Sequence, residues 1–394
     1  MTFRSIFAHR EFRWLWLADV QSLLGDQLAR VALSVLVFDR TGSGFATSAV
    51  YALTFLPAVF GGLVLGRVAD VLPRRELLVG CDAIRAILLA LMAMPAVPLG
   101  VVGALLAVAV LVGAPFKAAE AAIVAELFDS ARYGTAVAVR AATGQTAQLV
   151  GFMLGGATVA ALGSRPALVV DAVTFACSAA VLRGGLKSRP TAARRQGGRP
   201  GTRALTGFSQ VFGDRQLRTL LGLSWLAGLW VVPEGLAVPY AAAAGAGPAS
   251  VGVLLAANPT GCVIGALLLG RVVPVRWRSR LVGPLAVACG LPLLACARGP
   301  GLPVSMVLWL LSGVLSAYQV QVVAEYVAAV PNHIRGQAIG LASSGLLGVQ
   351  GLGLLLGGIA AQLWTSPVAI AGAGGIGLVA AVGLASARRG YQRY

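Results

Sequence analysis

Carboxylic acids set within long apolar runs are the residues of this chain most able to do chemistry. A carboxyl taken out of water is costly when charged and can load and lose a proton near neutrality. Asp19, Asp26 and Glu234 are such residues. Asp19 and Asp26 stand seven positions apart, so a helix puts them on one face, with Arg30 one turn beyond Asp26 on nearly the same face. Two readings of Asp26 stay open: a proton-coupling group, or a carboxylate neutralised by Arg30. Glu234, in Trp230-Val-Val-Pro-Glu234-Gly, lies mid-run in the second half of the chain. A proton moved down a membrane potential gains about 2.3 kcal/mol per 100 mV, enough to bias a cycle whose states differ by a few kcal/mol. Protons are therefore an expected partner.

Other polar residues divide by what surrounds them. Glu120, three residues from Lys117, reads as a structural ion-pair member, and Asp171 as a packing cap between helices. Arg140 is expected either to pair with an acid on a neighbouring helix or to bind an anionic group. Enzyme chemistry finds no support. His9 and His333 are isolated, no cluster has metal-ligand spacing, and no Gly-x-x-x-x-Gly-Lys-Ser/Thr loop is present, so no catalytic residue, metal or cofactor is expected. The energy source is then an ion gradient and not ATP.

The elements that must hold these acids are membrane helices. Hydrophobic residues make up 58% of the 394, charged ones 11%, and mean hydropathy is +0.83, against about 25% charged residues in an average soluble domain. Apolar runs of roughly 18 to 25 residues recur about twelve times, which predicts an all-α integral membrane protein of about twelve transmembrane helices. The first runs from near Trp14 to Phe38, followed by an external loop at Asp39 to Gly44 and a second span from Ala46. The fourth runs from Leu99 towards Glu120, before a turn at Glu126, Asp129 and Arg132.

A net charge of +17 would suggest nucleic acid in a soluble protein, but here the charges fall on alternate loops. Arg4, Arg10, Arg13, Arg67, Arg74, Arg75, the stretch Arg183 to Arg218, Arg271 to Arg280 and the tail are basic, whereas the other loops hold only Arg40, Arg165 and Arg298. The positive-inside rule then places both termini in the cytoplasm, in a multi-pass protein of the cytoplasmic (inner) membrane, with membrane lipids and not nucleic acid as partners. The cysteines Cys81, Cys177, Cys262, Cys289 and Cys296 read as packing residues. No cleavage-site pattern follows the N-terminal arm, so the first span is expected to be retained.

The chain divides near its middle. Val124-Ala125-Glu126, Arg132 and Gly155-Gly156 are echoed by Val323-Ala324-Glu325, Arg335 and Gly357-Gly358, which predicts two pseudo-symmetric six-helix bundles at 1–182 and 217–394, joined by a cytoplasmic linker at 183–216.

Between the second and third spans stands Gly66-Arg-Val-Ala-Asp70-Val-Leu-Pro-Arg74-Arg75-Glu-Leu. It resembles the signature loop Gly-x-x-x-Asp-Arg-x-Gly-Arg-Arg of the major facilitator superfamily, with Val71 and Pro73 departing from the pattern. Phe12-Arg13-Trp14-Leu15-Trp16, Leu24-Gly25-Asp26 and Asp171-Ala172-x-Thr174-Phe175 further resemble its branch of macrolide efflux pumps and the enterobactin exporter. The resemblance implies a proton-coupled secondary exporter of an amphipathic small molecule (a drug, antibiotic or siderophore), working as a monomer by alternating access. An importer or a lipid or lysolipid transporter of the same fold is the alternative. A non-transporting sensor or assembly partner fits the polar first helix less well.

It also implies roles. Gly66, Asp70, Arg74 and Arg75 would form a gate holding the bundles together, with Arg74 or Arg75 bridging to an acid such as Glu126. Gly151, Gly155 and Gly156 take the place of the exporters' fifth-helix Gly-Pro-x-x-Gly-Gly, without its proline. A midplane substrate cavity would draw on Gln27, Arg30, Tyr51, Arg140, Gln145, Gln148, Trp230, Asn258, Tyr318, Gln319 and Gln350, with Asp19, Asp26 and Glu234 as the proton-coupling groups.

Overall fold

A backbone in lipid must satisfy its own polar groups, and a helix does so within one segment. In the computed structural model, which describes residues 6–65, 68–188 and 204–391 (with side chains at 63, 69, 70, 130, 131, 204–207, 390 and 391 left aside), every regular element is helical. The fold is all-α and membrane-spanning. Among the described residues, 11 helical segments are long and apolar enough to cross a membrane. The 19-residue helix Arg74–Met92 falls outside that set because Arg74, Arg75, Glu76, Asp82 and Arg85 dilute its hydropathy.

In the first half the helices are α1 (Arg10–Thr41), α2 (Gly44–Ala52), α3 (Leu56–Leu65), α4 (Val68–Val71), α5 (Arg74–Met92), α6 (Leu99–Leu127), α7 (Ser130–Leu162) and α8 (Ser164–Gly185). The second half holds α9 (Ala204–Gly213), α10 (Arg215–Trp225), α11 (Ala227–Trp230), α12 (Val232–Ala243), α13 (Pro248–Arg271), α14 (Val275–Ala288), α15 (Leu291–Ala295), α16 (Leu302–Leu315), α17 (Tyr318–Ala329), α18 (Arg335–Leu363) and α19 (Ser366–Tyr391).

Several boundaries depart from expectation. The loop expected at Asp39 to Gly44 shrinks, because α1 continues through Thr41 and the chain reverses at Gly42, whose φ of 61° suits glycine. Helix α6 does not stop near Glu120 but passes Pro115 and ends at Leu127. Asp129 then caps α7, its Oδ1 accepting from the Arg132 backbone N–H at 2.9 Å. The stretch expected to be a solvated linker carries α9, and Asp214 caps α10 through the Leu217 N–H at 2.9 Å. Gly66 lies outside the described residues.

The chain forms two compact units, one of Met1–Val37 with Leu53–Gly198 and one of Phe38–Ala52 with Arg199–Tyr394. In the first, α5 packs on α6 and α8, α3 packs on α6, and Phe12, Leu15, Leu78, Ile123 and Leu182 belong to one buried core. Helix α7 lies close on α1: a Cβ at Gly151 would stand 2.8 Å from the Gln27 Cβ, and one at Gly155 3.0 Å from the Leu28 Cα. In the second unit α13 packs on α16, α2 on α18, and α19 on α14 and α15.

Lipid tails are as apolar as leucine, so helices in a membrane gain from close backbone packing, which small residues permit. Gly313 of α16 faces the Asn258 carbonyl and Gly261 of α13 so closely that a Cβ has no room. Gly313→Leu is expected to destabilise the second unit by about 1–3 kcal/mol through overpacking. Gly340→Ala, where a Cβ meets open space, should leave the melting temperature in detergent nearly unchanged.

Candidate functional site

Helix α1 is long and carries polar residues on its buried side: Asp19 is 5% exposed, Gln27 5% and Ser22 4%. These groups need partners from neighbouring helices, since a buried charge is tolerated only when paired. Arg140 of α7 supplies one, its Nη2 standing 3.4 Å from Asp19 Oδ2 and 2.5 Å from Glu120 Oε2 of α6. The lone arginine of α7's middle turns thus ties α1, α6 and α7. Glu120, expected to answer to Lys117, is fully buried, with Arg140 as its direct ion-pair partner; Lys117 acts on it only through the field.

Arg85 of α5 organises a second group. Its Nη2 donates to Asp26 Oδ1 at 2.6 Å, and its Nη1 lies 4.0 Å from Asp82 Oδ1. The guanidinium also stacks on the Phe175 ring, 4.0 Å from its centroid, a cation–π contact from α8. Asp82 is fully buried and its Oδ2 accepts the Ser178 hydroxyl at 2.5 Å, while the Ser22 hydroxyl donates to Ser178 at 3.3 Å. Asp171 of α8 is fully buried as well, its Oδ1 accepting from the Thr174 hydroxyl at 3.0 Å. Asp26 therefore has its ion pair with Arg85 and not from one turn along its own helix. Arg30 donates to Gln27 Oε1 at 3.2 Å and lies over the Phe55 ring.

The loop residues are engaged inside the first unit. Arg74 Nη1 pairs with Glu126 Oε1 at 2.6 Å and donates to the Ala122 carbonyl, and Arg75 donates to the Arg183 carbonyl at 2.7 Å. Both arginines thus clamp α5 onto α6 and α8. Asp70 falls in α4, with its side chain outside the described residues.

In the second unit Glu234 is 8% exposed and accepts the Tyr51 hydroxyl at 2.7 Å. The helix breaks at Leu226, and the nearby Leu223 and Ser224 carbonyls take side-chain donors. Gln319 Nε2 donates to both, at 3.1 and 3.3 Å, and Tyr318 donates to Leu223 at 3.3 Å while accepting from Trp230 Nε1 at 3.2 Å. Tyr318 is fully buried and Trp230 5% exposed. Tyr318 and Gln319, both expected at a substrate cavity, supply hydrogen bonds to carbonyls next to this break, and Gln319 is half-buried. Asn258 accepts from Cys262 at 3.6 Å, Gln148 and Gln350 are half-buried, and Gln145 is exposed.

Among the described residues no cluster of His, Cys, Asp or Glu has the geometry to hold a metal ion. A half-open cavity of about 440 Å³ lies at His9, Arg10, Glu11, Leu127 and Gly184 to Lys187, apart from the acids above. The sequence places Asp82 and Arg85 near the inner end of the third span without assigning them a role, and it does not show the partners of Glu120 and Asp171. The signal was the presence of Asp82 and Arg85, three apart, in an otherwise apolar helix. Arg388, read as tail, is 2% exposed and pairs with Glu325 Oε2 at 2.7 Å.

Comparison with known proteins agrees with this architecture. Residues 15–237 match the model of the Major Facilitator Superfamily. The multidrug efflux pump Tap of Mycobacterium tuberculosis is 29% identical over 364 residues, covering 86% of this chain and 84% of that protein. Tap of Mycolicibacterium fortuitum is 28% identical over 358 residues, covering 85% of each. Among solved structures, the nucleoside transporter NupG superposes with a TM-score of 0.73 at 16% identity, over 96% of this chain and 99% of that one. An inward-facing, occupied bacterial homologue of the human lysosomal transporter Spinster superposes with a TM-score of 0.73 at 13% identity, over 96% of both.

Arg140→Met should leave Asp19 and Glu120 buried without their cation and cost about 3–5 kcal/mol. Arg140→Met combined with Asp19→Asn and Glu120→Gln should recover most of that loss. Unfolding of the purified variants in detergent, compared as a mutant cycle, checks both outcomes.

Proposed function

We propose that this chain, which belongs to the Major Facilitator Superfamily, exports an amphipathic small molecule such as a drug, antibiotic or siderophore across the cytoplasmic membrane in exchange for protons. It is a multi-pass membrane transporter and not an enzyme. The observation that carries the proton-coupled reading is the excess of acid in the first unit. Asp19, Asp26, Asp82 and Glu120 share the two guanidiniums of Arg85 and Arg140, and the buried carboxyl of Asp171 has neither as an ion-pair partner. Charge surplus of that kind inside a membrane is relieved by binding protons, and a group that must bind and release them with each cycle couples transport to a gradient.

Asp26 and Glu234 are the leading coupling acids of this reading, each holding one side-chain donor from another helix, Arg85 and Tyr51. Asp19 joins them through Arg140. The outward direction and the amphipathic cargo rest on the likeness to the Tap multidrug efflux pumps. Basic residues on alternate loops support a topology with both termini in the cytoplasm. The chain acts as a monomer in this reading, with the two sequence halves, 1–182 and 217–394, as its moving parts and 183–216 as their tether.

Proteoliposomes with an imposed pH gradient and ethidium as the amphipathic probe test the reading. The gradient should drive ethidium transport, and Asp26→Asn or Glu234→Gln should each reduce the driven rate by about tenfold or more. Ethidium flux indifferent to the gradient and to both substitutions would rule out proton antiport.

A further inference from the structure

Asp171 takes no part in the ion pairs described above, whereas the other fully buried acids described in the first unit, Asp82 and Glu120, each face an arginine. It is fully buried in α8, and its Oδ2 is buried without a hydrogen-bond partner. Its Oδ1 has only the Thr174 hydroxyl, at 3.0 Å, and that hydroxyl is shared with the Asp171 carbonyl at 2.8 Å. One hydrogen divided between two acceptors solvates a carboxylate poorly, and an ionised carboxylate held this way in a membrane interior is strongly disfavoured.

The charged groups around it make the case sharper. Asp26 from α1 and Asp82 with Arg85 from α5 are within electrostatic reach. From α7, which also packs on α8, comes Arg140, already held by Asp19 and Glu120. A single cation, Arg85, therefore faces three carboxyls. Its Nη2 is bound to Asp26, its Nη1 lies towards Asp82, and its plane rests on Phe175, in the same turn as Thr174. Asp82 has the Ser178 hydroxyl as well. Asp171 is the carboxyl left over.

Its position against α1 also has a cause in the sequence. Gly25, one residue before Asp26, has no side chain, and a Cβ there would collide with Asp171 Oδ1 and with the Thr174 hydroxyl oxygen. The glycine brings the carboxyl against α1 beside the residue that holds Arg85.

We propose that Asp171 is a proton-binding site of the transporter, carrying its proton on Oδ2 while Arg85 is bound to Asp26, and releasing it when Arg85 turns from Asp26 to Asp171. In the release step the O–H bond at Oδ2 breaks, its electron pair stays on the new carboxylate, and the proton passes to water. Arg85 is the switch: it charges whichever of the two acids it faces. The coupling role rests on the exporter reading above, but the proton site can be observed without any transport.

Infrared difference spectra of the purified full chain in lipid nanodiscs, taken between neutral and alkaline buffer, read protonated carboxyls directly. The wild type should show a carboxylic-acid C=O band at neutral pH that shifts on ¹³C-aspartate labelling and is lost in the isosteric Asp171→Asn. Thr174→Val, which removes the hydroxyl but no charge, should displace the same band and serves if Asp171→Asn fails to assemble. A band unchanged by both substitutions, or absent from the wild type, overturns the proposal. In proteoliposomes, ethidium transport by Asp171→Asn should no longer respond to a pH gradient. If wild-type transport ignores the gradient while the band is still lost in Asp171→Asn, the antiport reading fails and the proton site stands.

Discussion

The pairing of buried carboxyls with too few arginines is the constraint on which the first unit depends. Each of Arg85 and Arg140 joins acids from different helices: Arg85 links α5 to α1, and Arg140 links α7 to α1 and α6. The cost of burying charge is recovered only at close range, so these pairs demand that the helices approach tightly. The glycines along the seams allow it. Gly151 and Gly155 let α7 lie against α1 at Gln27 and Leu28, and Gly25 lets α1 lie against Asp171. Electrostatics and small-residue packing are two faces of one requirement here.

The second unit solves a different problem, that of broken backbone. The segment from Arg215 to Ala243 is interrupted at Leu226 and Val231 and carries Pro233 and Pro239. Carbonyls near the first interruption would be left in an apolar interior, and Tyr318 and Gln319 from α17 supply the donors. Two of the side chains expected at a ligand pocket, Tyr318 and Gln319, thus also serve the backbone of this helix. Glu234, just past the second interruption, keeps a side-chain donor, Tyr51, from α2.

Helix type and approximate span positions were legible because hydropathy and charge are local properties. So were the acids of α1, since Asp19 and Asp26 are conspicuous in an apolar run. Partners were legible only in part: the family loop implied the pair of Arg74 with Glu126, and Arg140 was expected to meet an acid on a neighbouring helix, but the partners of Asp26 and Glu120 were not readable. Arg30 is the cation nearest to Asp26 along the chain, but Arg85, 59 residues away, makes the 2.6 Å contact, because only tertiary packing decides which of two guanidiniums reaches a carboxylate. Glu120 and Lys117 look like a helix pair at three-residue spacing, and burial instead hands Glu120 to Arg140. The helix ends at Thr41 and Leu127 were misplaced for a similar reason: polar residues that suggest a turn, such as Asp39 and Glu126, are tolerated in a helix when partners or the helix end can receive them.

The internal repeat shows how far a shared sequence can diverge in its physics. Glu126 and Glu325 occupy matching Val-Ala-Glu segments, and each forms an ion pair with an arginine. Glu126 takes Arg74 at the start of α5, whereas Glu325 takes Arg388 near the end of α19, so equivalent acids stitch different helices in the two units. Asp26 and Glu234 stand on corresponding helices of the repeat, but Asp26 is held by an arginine and Glu234 hydrogen-bonds a tyrosine. The buried carboxyls and their arginines thus lie in the first unit, whereas the side-chain donors that serve an interrupted helix lie in the second.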